Sequence, residues 1–187
     1  EEREDENNEG ILFNNDFVIL DEAHNVGHIA SKHIGMSISS GQVRFNLQRL
    51  WNSKTGKGLF GLLRSGRATR LVEDAENAME QFFDELEVAC DELNESQCSV
   101  KFNNRKRTIW KELRVRSSGI IDDSLTLPLQ RVREVLLQVR EEVDDSDTVQ
   151  ELAEFNRRIG ELREAVLMFL SQSSNDHVYW VERSGKS

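Results

Sequence analysis

The fold of this chain is decided by residues 67–94, RATRLVEDAENAMEQFFDELEVACDELN. Apolar residues recur through this stretch at steps of three and four, which places them on one face of an α-helix. They are Leu71, Val72, Ala75, Met79, Phe82, Phe83, Leu86, Ala89, Cys90 and Leu93. The stretch therefore predicts one helix on the order of 40 Å long, which is too long to lie inside a compact core over its whole length.

Two more helical patterns follow later in the chain. Pro128 opens the first, because its missing N–H costs least in the first turn of a helix. Its apolar face consists of Leu129, Val132, Leu136, Val139 and Val143. Residues 144–147 break this pattern, and the next helix runs to about Gln172, with Thr148 and Glu151 resembling a capping box at its start. The short acidic turn between them predicts an antiparallel pair.

Shorter elements surround these long helices. A helix beginning at Ser40 or Gly41 carries apolar residues at helical spacing, and a short apolar piece follows at 59–63. Residues 96–121 mix apolar and basic side chains and predict an irregular region that could hold a hairpin. At the two ends of the chain we expect a strand at 17–20, a short helix at 24–34 and a strand at 177–182. The predicted fold is mainly α-helical.

The composition describes a charge-rich globular protein. Of the 187 residues, 37% are hydrophobic and 31% are charged, and no apolar run approaches the ~20 residues that cross a bilayer. The net charge of −10 disfavours a protein that coats nucleic acid over its whole surface. Two cysteines, Cys90 and Cys98, are too few for a disulfide framework or a zinc site, so we expect reduced thiols in the cytoplasm. Because the chain begins without Met, we expect a piece of a longer protein.

An acidic pair follows the strand predicted at 17–20. The run from Phe17 to Leu20 has no polar residue, as in a strand buried on both faces of a parallel sheet, and Asp21 and Glu22 come directly after it. Open α/β sheets bind ligands beyond the carboxyl ends of their strands. In nucleotide hydrolases one carboxylate there holds Mg²⁺ and another polar group positions the attacking water. The pattern predicts a Walker B motif, and the competing interpretation is an ordinary surface acidic pair.

A family resemblance rests on the two ends of the chain. Residues 17–26, FVILDEAHNV, resemble motif II of the DinG/XPD-like branch of superfamily two DNA helicases. Residues 177–182, HVYWVE, resemble the strand by which DinG-type proteins return to the motor core after their arch domain. The resemblance implies the end of motor domain 1 at 1–34, a helical arch-type insertion at 35–176, and the returning strand at 177–187. The terminal strands would then be left over from an α/β motor domain.

The same resemblance implies roles for the residues of the DEAH string. Asp21 would bind Mg²⁺ through water, Glu22 would orient or deprotonate the attacking water, and His24 would couple the nucleotide site to DNA-contacting motifs. The implied cofactors are ATP and Mg²⁺, and the implied activity is ATP-driven separation of DNA strands in repair or replication. Some members carry an iron–sulfur cluster upstream of DEAH, a position that Cys90 and Cys98 do not match.

Two helicase parts are missing from the sequence. No Gly-x-x-x-x-Gly-Lys-Ser/Thr occurs, so the amides and the lysine that cradle phosphates are not supplied by this chain. The arginine-finger motifs of a second motor domain are missing too. We therefore expect no ATP hydrolysis by this chain alone.

A local reversal of charge lies between Lys101 and Arg116. Only Glu112 opposes its seven cations, which are Lys101, Arg105, Lys106, Arg107, Lys111, Arg114 and Arg116. Lys and Arg neutralise phosphates and an aromatic ring can stack on an unpaired base, so we assign strand contact to Arg105, Lys106, Arg107 and Trp110. The alternative is a solvated loop that balances nearby glutamates, with Trp110 in the core.

A second class of function stays open. The long amphipathic helices also suit a protein-interaction or scaffold module in which the DEAH string is coincidental. Within the helicase interpretation the arch could bind a protein partner in place of DNA. The exposed edge of the strand at 17–20 could also drive self-association. No membrane partner is expected.

Overall fold

The computed structural model describes residues 21–27, 35–97, 110–174 and 176–183. The chain divides into two compact units, 1–36 and 37–187. The described elements of the second unit, which we call the helical unit, are α1 (Ser40–Leu50), α2 (Leu59–Leu62), α3 (Gly66–Gln97), β1 (Glu112–Val115), α4 (Thr126–Glu141), α5 (Ser146–Ser171) and β2 (Tyr179–Glu182). The described part of the first unit contains a 3₁₀ turn, Ala23–Asn25. The predicted mainly helical fold is confirmed.

Helix α3 is the centre of the helical unit. It has 32 residues and so extends over about 48 Å. It packs against α1, α2 and α4. Its buried residues follow the predicted spacing of three and four and are Ala68, Val72, Ala75, Met79, Phe82, Leu86 and Cys90. The hydrophobic core is continuous along this face, and α1, α2, α4 and α5 all contribute to it.

Helices α4 and α5 form the predicted pair, but two details of their starts differ from the prediction. Helix α4 begins at Thr126. Pro128 is therefore its third residue, where the helix still requires no backbone donor. The N-cap of α5 is Asp145, whose carboxylate accepts a hydrogen bond from the Thr148 N–H at 2.9 Å. The predicted capping box of Thr148 and Glu151 is therefore wrong, because Thr148 already lies within the first turn.

The turn between α1 and α2 depends on one glycine. Gly58 has a φ of 141°, which side chains rarely allow. A Cβ at this position would lie 2.5 Å from the carbonyl oxygen of Leu50. The backbone of α2 can therefore approach the end of α1 closely, which turns Leu59 and Phe60 into the core and leaves Leu62 on the surface.

The sheet joins distant parts of the chain. Strand β1 pairs antiparallel with β2, with Glu112 opposite Glu182 and Val115 opposite Tyr179. The strand predicted at 177–182 is thus present as β2. The described part of the region predicted to be irregular contains β1, and β1 pairs with β2 and not with a neighbour in a local hairpin. A return of β2 to a motor core stays a prediction.

Several predicted elements cannot be compared with the structure. The strand at 17–20 and most of the helix at 24–34 lie outside the described residues. Within the ranges that are described, no helix combines the length and the apolar character that crossing a membrane requires.

Candidate functional site

The DEAH residues form a tight, solvent-exposed turn. The Glu22 N–H donates to Asp21 Oδ1 at 2.9 Å, and the Asn25 N–H donates to the Glu22 carbonyl at 2.9 Å. Glu22 has the left-handed backbone conformation, with φ 52° and ψ 41°. This conformation is uncommon outside glycine, and it lets the chain turn sharply directly after Asp21.

The three predicted site residues lie close together on this turn. His24 Nδ1 is 3.2 Å from Glu22 Oε2, and their side chains are 73% and 70% exposed. The second carboxylate oxygen of Asp21, Oδ2, has no partner among the residues that the structure describes. The turn therefore presents carboxylates to solvent, as a Walker B motif must present them to a nucleotide.

The donor set of this turn fits Mg²⁺ in a nucleotide site. Mg²⁺ is typically held by one or two carboxylates together with waters and substrate phosphates. Asp21 supplies such a carboxylate. In the described parts of the chain, no cluster of three or more His, Cys, Asp or Glu residues could hold a metal by itself. A divalent ion at Asp21 would accordingly share its coordination with phosphate oxygens and water.

The predicted strand-contacting residues have different outcomes. Arg105, Lys106 and Arg107 lie outside the described residues. Trp110 is only 7% exposed and belongs to the hydrophobic core. Its indole N–H donates to Asp91 Oδ1 at 2.7 Å. The ring is unavailable for stacking on a base in this conformation, so the assignment of Trp110 to strand contact is corrected to a core role.

Arg183 completes a cluster that holds the sheet against α3. Its guanidinium carbon lies 4.4 Å from the centre of the Trp110 ring. The same guanidinium is 2.7 Å from Glu87 and 2.9 Å from Asp91, both on α3. Its backbone N–H donates to the Lys111 carbonyl at 2.9 Å, which extends the β1–β2 ladder by one pair. We call these side chains, Glu87, Asp91, Trp110 and Arg183, the Arg183 clamp.

We expect Arg183→Ala to lower the free energy of unfolding of the helical unit by about 1–2 kcal/mol, since a cation–π contact and two partly exposed ion pairs are lost together. The measurement is urea unfolding followed by circular dichroism. Arg131→Ala is the control, because Arg131 is exposed and has no partner among the described residues. Equal effects of the two substitutions would contradict a clamp.

Cys90 lies on α3 next to Asp91 of the clamp, and its thiol is buried. Burial and, secondly, the neighbouring Asp91 raise the pKa of its thiol to about 11. The thiolate is the reactive and metal-binding form of cysteine, so Cys90 is suited to packing and not to catalysis.

A shallow cleft of about 710 Å³ lies between α1 and α5, and its charges are already matched. Arg49 stacks over Phe155 and pairs with Glu151 at 3.2 Å. Arg157 and Arg158 each donate to Glu154 at 2.7 Å. The hydrogen bond from Arg157, followed by that from Arg158, lowers the pKa of Glu154 to about 2. The arginines that line this cleft are thus engaged by glutamates of the same chain.

The outer face of the sheet brings two arginines of the basic stretch beside Trp180, a residue that the sequence interpretation did not assign to a site. Trp180 on β2 lies directly opposite Arg114 on β1, and Arg116 follows β1. Trp180 is 39% exposed, and both arginines are exposed. We call these three residues the basic ribbon. Residues 178–181 are apolar or aromatic throughout, so no alternation in the sequence could show that Trp180 faces away from the core.

Comparison with known proteins adds no further assignment. No protein-family model, curated protein or solved structure matches the chain.

Proposed function

We propose that this chain is a segment of an ATP-dependent DNA helicase of the DinG/XPD-like type. The DEAH turn would contribute Asp21 and Glu22 to the nucleotide site, and the helical unit would be the arch-type insertion that follows it. The longer protein would be a cytoplasmic, nucleoid-associated enzyme that uses ATP and Mg²⁺ to separate DNA strands in repair or replication. Its Walker A loop and second motor domain would be supplied by other segments.

One observation carries the proposal. The DEAH string occupies a tight turn in which Asp21 and Glu22 are both exposed. A nucleotide hydrolase needs this arrangement, because one carboxylate must reach the metal while the other reaches the attacking water. The string continues with Asn25 and Val26, as it does in the family that the sequence resembles. In the longer protein Asp21 would hold Mg²⁺, Glu22 would orient the water or accept its proton, and His24 would couple the nucleotide site to DNA-contacting motifs.

The general architecture of the helical unit, and no single residue in it, supports its assignment as an arch-type insertion. It has its own hydrophobic core, and the long helix α3 and the α4–α5 pair dominate it. Such a unit can be inserted between two strands of a motor domain without contributing to the sheet of that domain. The clamp of Arg183 would then fix the direction in which the chain leaves the arch.

The test is ATP hydrolysis by the longer protein with and without DNA. We expect turnover that requires Mg²⁺ and rises when single-stranded DNA is added, because the strand is the track of the motor. The 187-residue chain alone should show no turnover. Complete lack of ATP turnover in the longer protein would contradict the proposal, as would turnover that is indifferent to DNA.

A protein-interaction module is the second candidate. One observation favours it: the helical unit forms a continuous core from residues of its own. A module of this kind would leave Glu22 without a catalytic role, so the effect of Glu22→Gln on ATP turnover separates the two candidates.

A further inference from the structure

The basic ribbon presents an aromatic ring without a stacking partner. Among the described residues, no other ring and no cation lies over either face of the Trp180 indole. The indole N–H donates to Glu182 Oε1 at 2.9 Å, which fixes the orientation of the ring. An indole of this kind can stack on a flat ligand at little cost in side-chain entropy, because its rotamer is already set.

The arginines beside this ring are available for a ligand. Several arginines of the helical unit are already engaged by carboxylates, as Arg44 is by Glu80 and Arg49 is by Glu151. Arg114 and Arg116 have no ion pair with any residue in the described part of the chain. Glu112 and Glu182 are exposed on the same face of the sheet, so the positive charge of the basic ribbon is confined to the side of Arg114 and Arg116.

The inner face of the β1–β2 sheet, opposite the basic ribbon, packs against the core. Leu113 and Val115, on the inner face of β1, are buried, and Val181 of β2 packs against the core. The Arg183 clamp ties the same sheet to α3. A ligand on the outer face would therefore meet a preformed surface and would not have to order it.

We propose that the basic ribbon binds single-stranded nucleic acid, with a base stacked on Trp180 and phosphates held by Arg114 and Arg116. Proteins that bind single strands without sequence preference combine these two elements, a stacking ring and adjacent cations. An acidic peptide would use the arginines but would leave the indole without a role. The inference deepens the proposed function, and it rests on that function only in taking DNA as the strand.

Charge along the sheet also sets where the strand lies. Glu112 and Glu182 face each other at the end of the sheet nearest to Arg183, where they repel phosphate. Arg114 and Trp180 lie in the middle, and Arg116 continues the positive surface beyond the other end. The strand would therefore cross the sheet at Trp180 and leave it on the side of Arg116.

The experiment uses the 187-residue chain without ATP, so its result does not depend on hydrolysis. Binding to a short fluorescein-labelled oligothymidine is followed by anisotropy over a series of salt concentrations. We expect Trp180→Ala to weaken binding about five- to 100-fold. Arg114→Gln with Arg116→Gln should weaken it and reduce the slope of log K against log salt by about 1.4, for two phosphate contacts.

Matched controls are available on other surfaces. Phe45→Ala removes an exposed aromatic residue from α1, and Arg131→Gln with Arg140→Gln removes two exposed arginines from α4. Neither control should change binding. Trp180→Phe should restore most of the affinity, because it keeps a ring, and circular dichroism should show every variant folded.

Three results would overturn the proposal. One is oligothymidine binding that Trp180→Ala leaves unchanged. Another is no binding of oligothymidine at low salt while a labelled oligoglutamate binds, which would assign the arginines to an acidic polypeptide. The last is equal affinity for duplex and single strand, because paired bases cannot stack on an indole. If the basic ribbon does not bind oligothymidine while the longer protein hydrolyses ATP in response to DNA, the helicase proposal stands and other residues contact the strand.

Discussion

Replacing Phe60 by alanine should lower the free energy of unfolding of the helical unit by about 3–5 kcal/mol, since it removes a buried aromatic side chain and leaves a cavity. Phe60 is 0% exposed. It lies on the single turn of α2, a helix that packs against both α1 and α3. A helix of one turn has almost no stability of its own. The position of α2 therefore depends on the packing of the Phe60 side chain in the core. Total stabilities of domains are about 5–15 kcal/mol, so this loss is a large share.

The control for Phe60 lies on the same turn. Leu62 is 82% exposed, so Leu62→Ala should change the free energy of unfolding by no more than about 0.5 kcal/mol. Urea unfolding of both variants, followed by circular dichroism and fitted to a two-state transition, gives the comparison. Similar losses for the two variants would mean that α2 does not anchor the core through Phe60.

The long helices could be predicted because their signal is local. The spacing of Val72, Met79 and Leu86 marks one face of α3 without reference to any other part of the chain. The turn between α4 and α5 was likewise recognisable from a few consecutive acidic residues. The cap of α5 was misassigned because Asp145 and Thr148 both suit an N-cap, and only the backbone conformation decides between them.

The local sequence pattern could not predict which side chains of the short helix and strands face the core and which face solvent. Residues 59–63 are apolar throughout, and the direction in which Leu62 points depends on the approach allowed by Gly58. The Arg183 clamp is even harder to predict from the sequence, because Arg183 and Asp91 are 92 residues apart in the chain. A basic stretch with an interleaved Trp110 looks the same whether that ring faces water or the core.

The candidate nucleotide site, unlike the Arg183 clamp, consists of residues that are neighbours in the sequence. Asp21, Glu22 and His24 are neighbours in sequence, so their juxtaposition needs only one turn to form. The string was recognisable for that reason. Residues that would complete such a site are supplied by distant segments in nucleotide hydrolases, and a single short motif does not report them.

In the helicase that we propose, Glu22→Gln should reduce ATP turnover about 100-fold or more, the usual scale for losing a positioned proton acceptor. Glutamine keeps the size of glutamate and can still accept a hydrogen bond from His24, but it cannot take a proton from water at neutral pH. Asp21 is untouched, so Mg²⁺ and ATP should bind within a few-fold of normal. A separation of turnover from binding is the signature of a residue that acts on the reacting water.

Two further variants make this result specific. Glu141→Gln changes an exposed glutamate at the end of α4 and should leave turnover unchanged. Asp21→Asn removes the carboxylate assigned to Mg²⁺ and should raise the Mg²⁺ concentration needed for turnover, which Glu22→Gln should not do. Turnover is measured by phosphate release and ATP binding by a fluorescent analogue. Normal turnover by Glu22→Gln would make the DEAH string coincidental, and the interaction module would then be the better account of the helical unit.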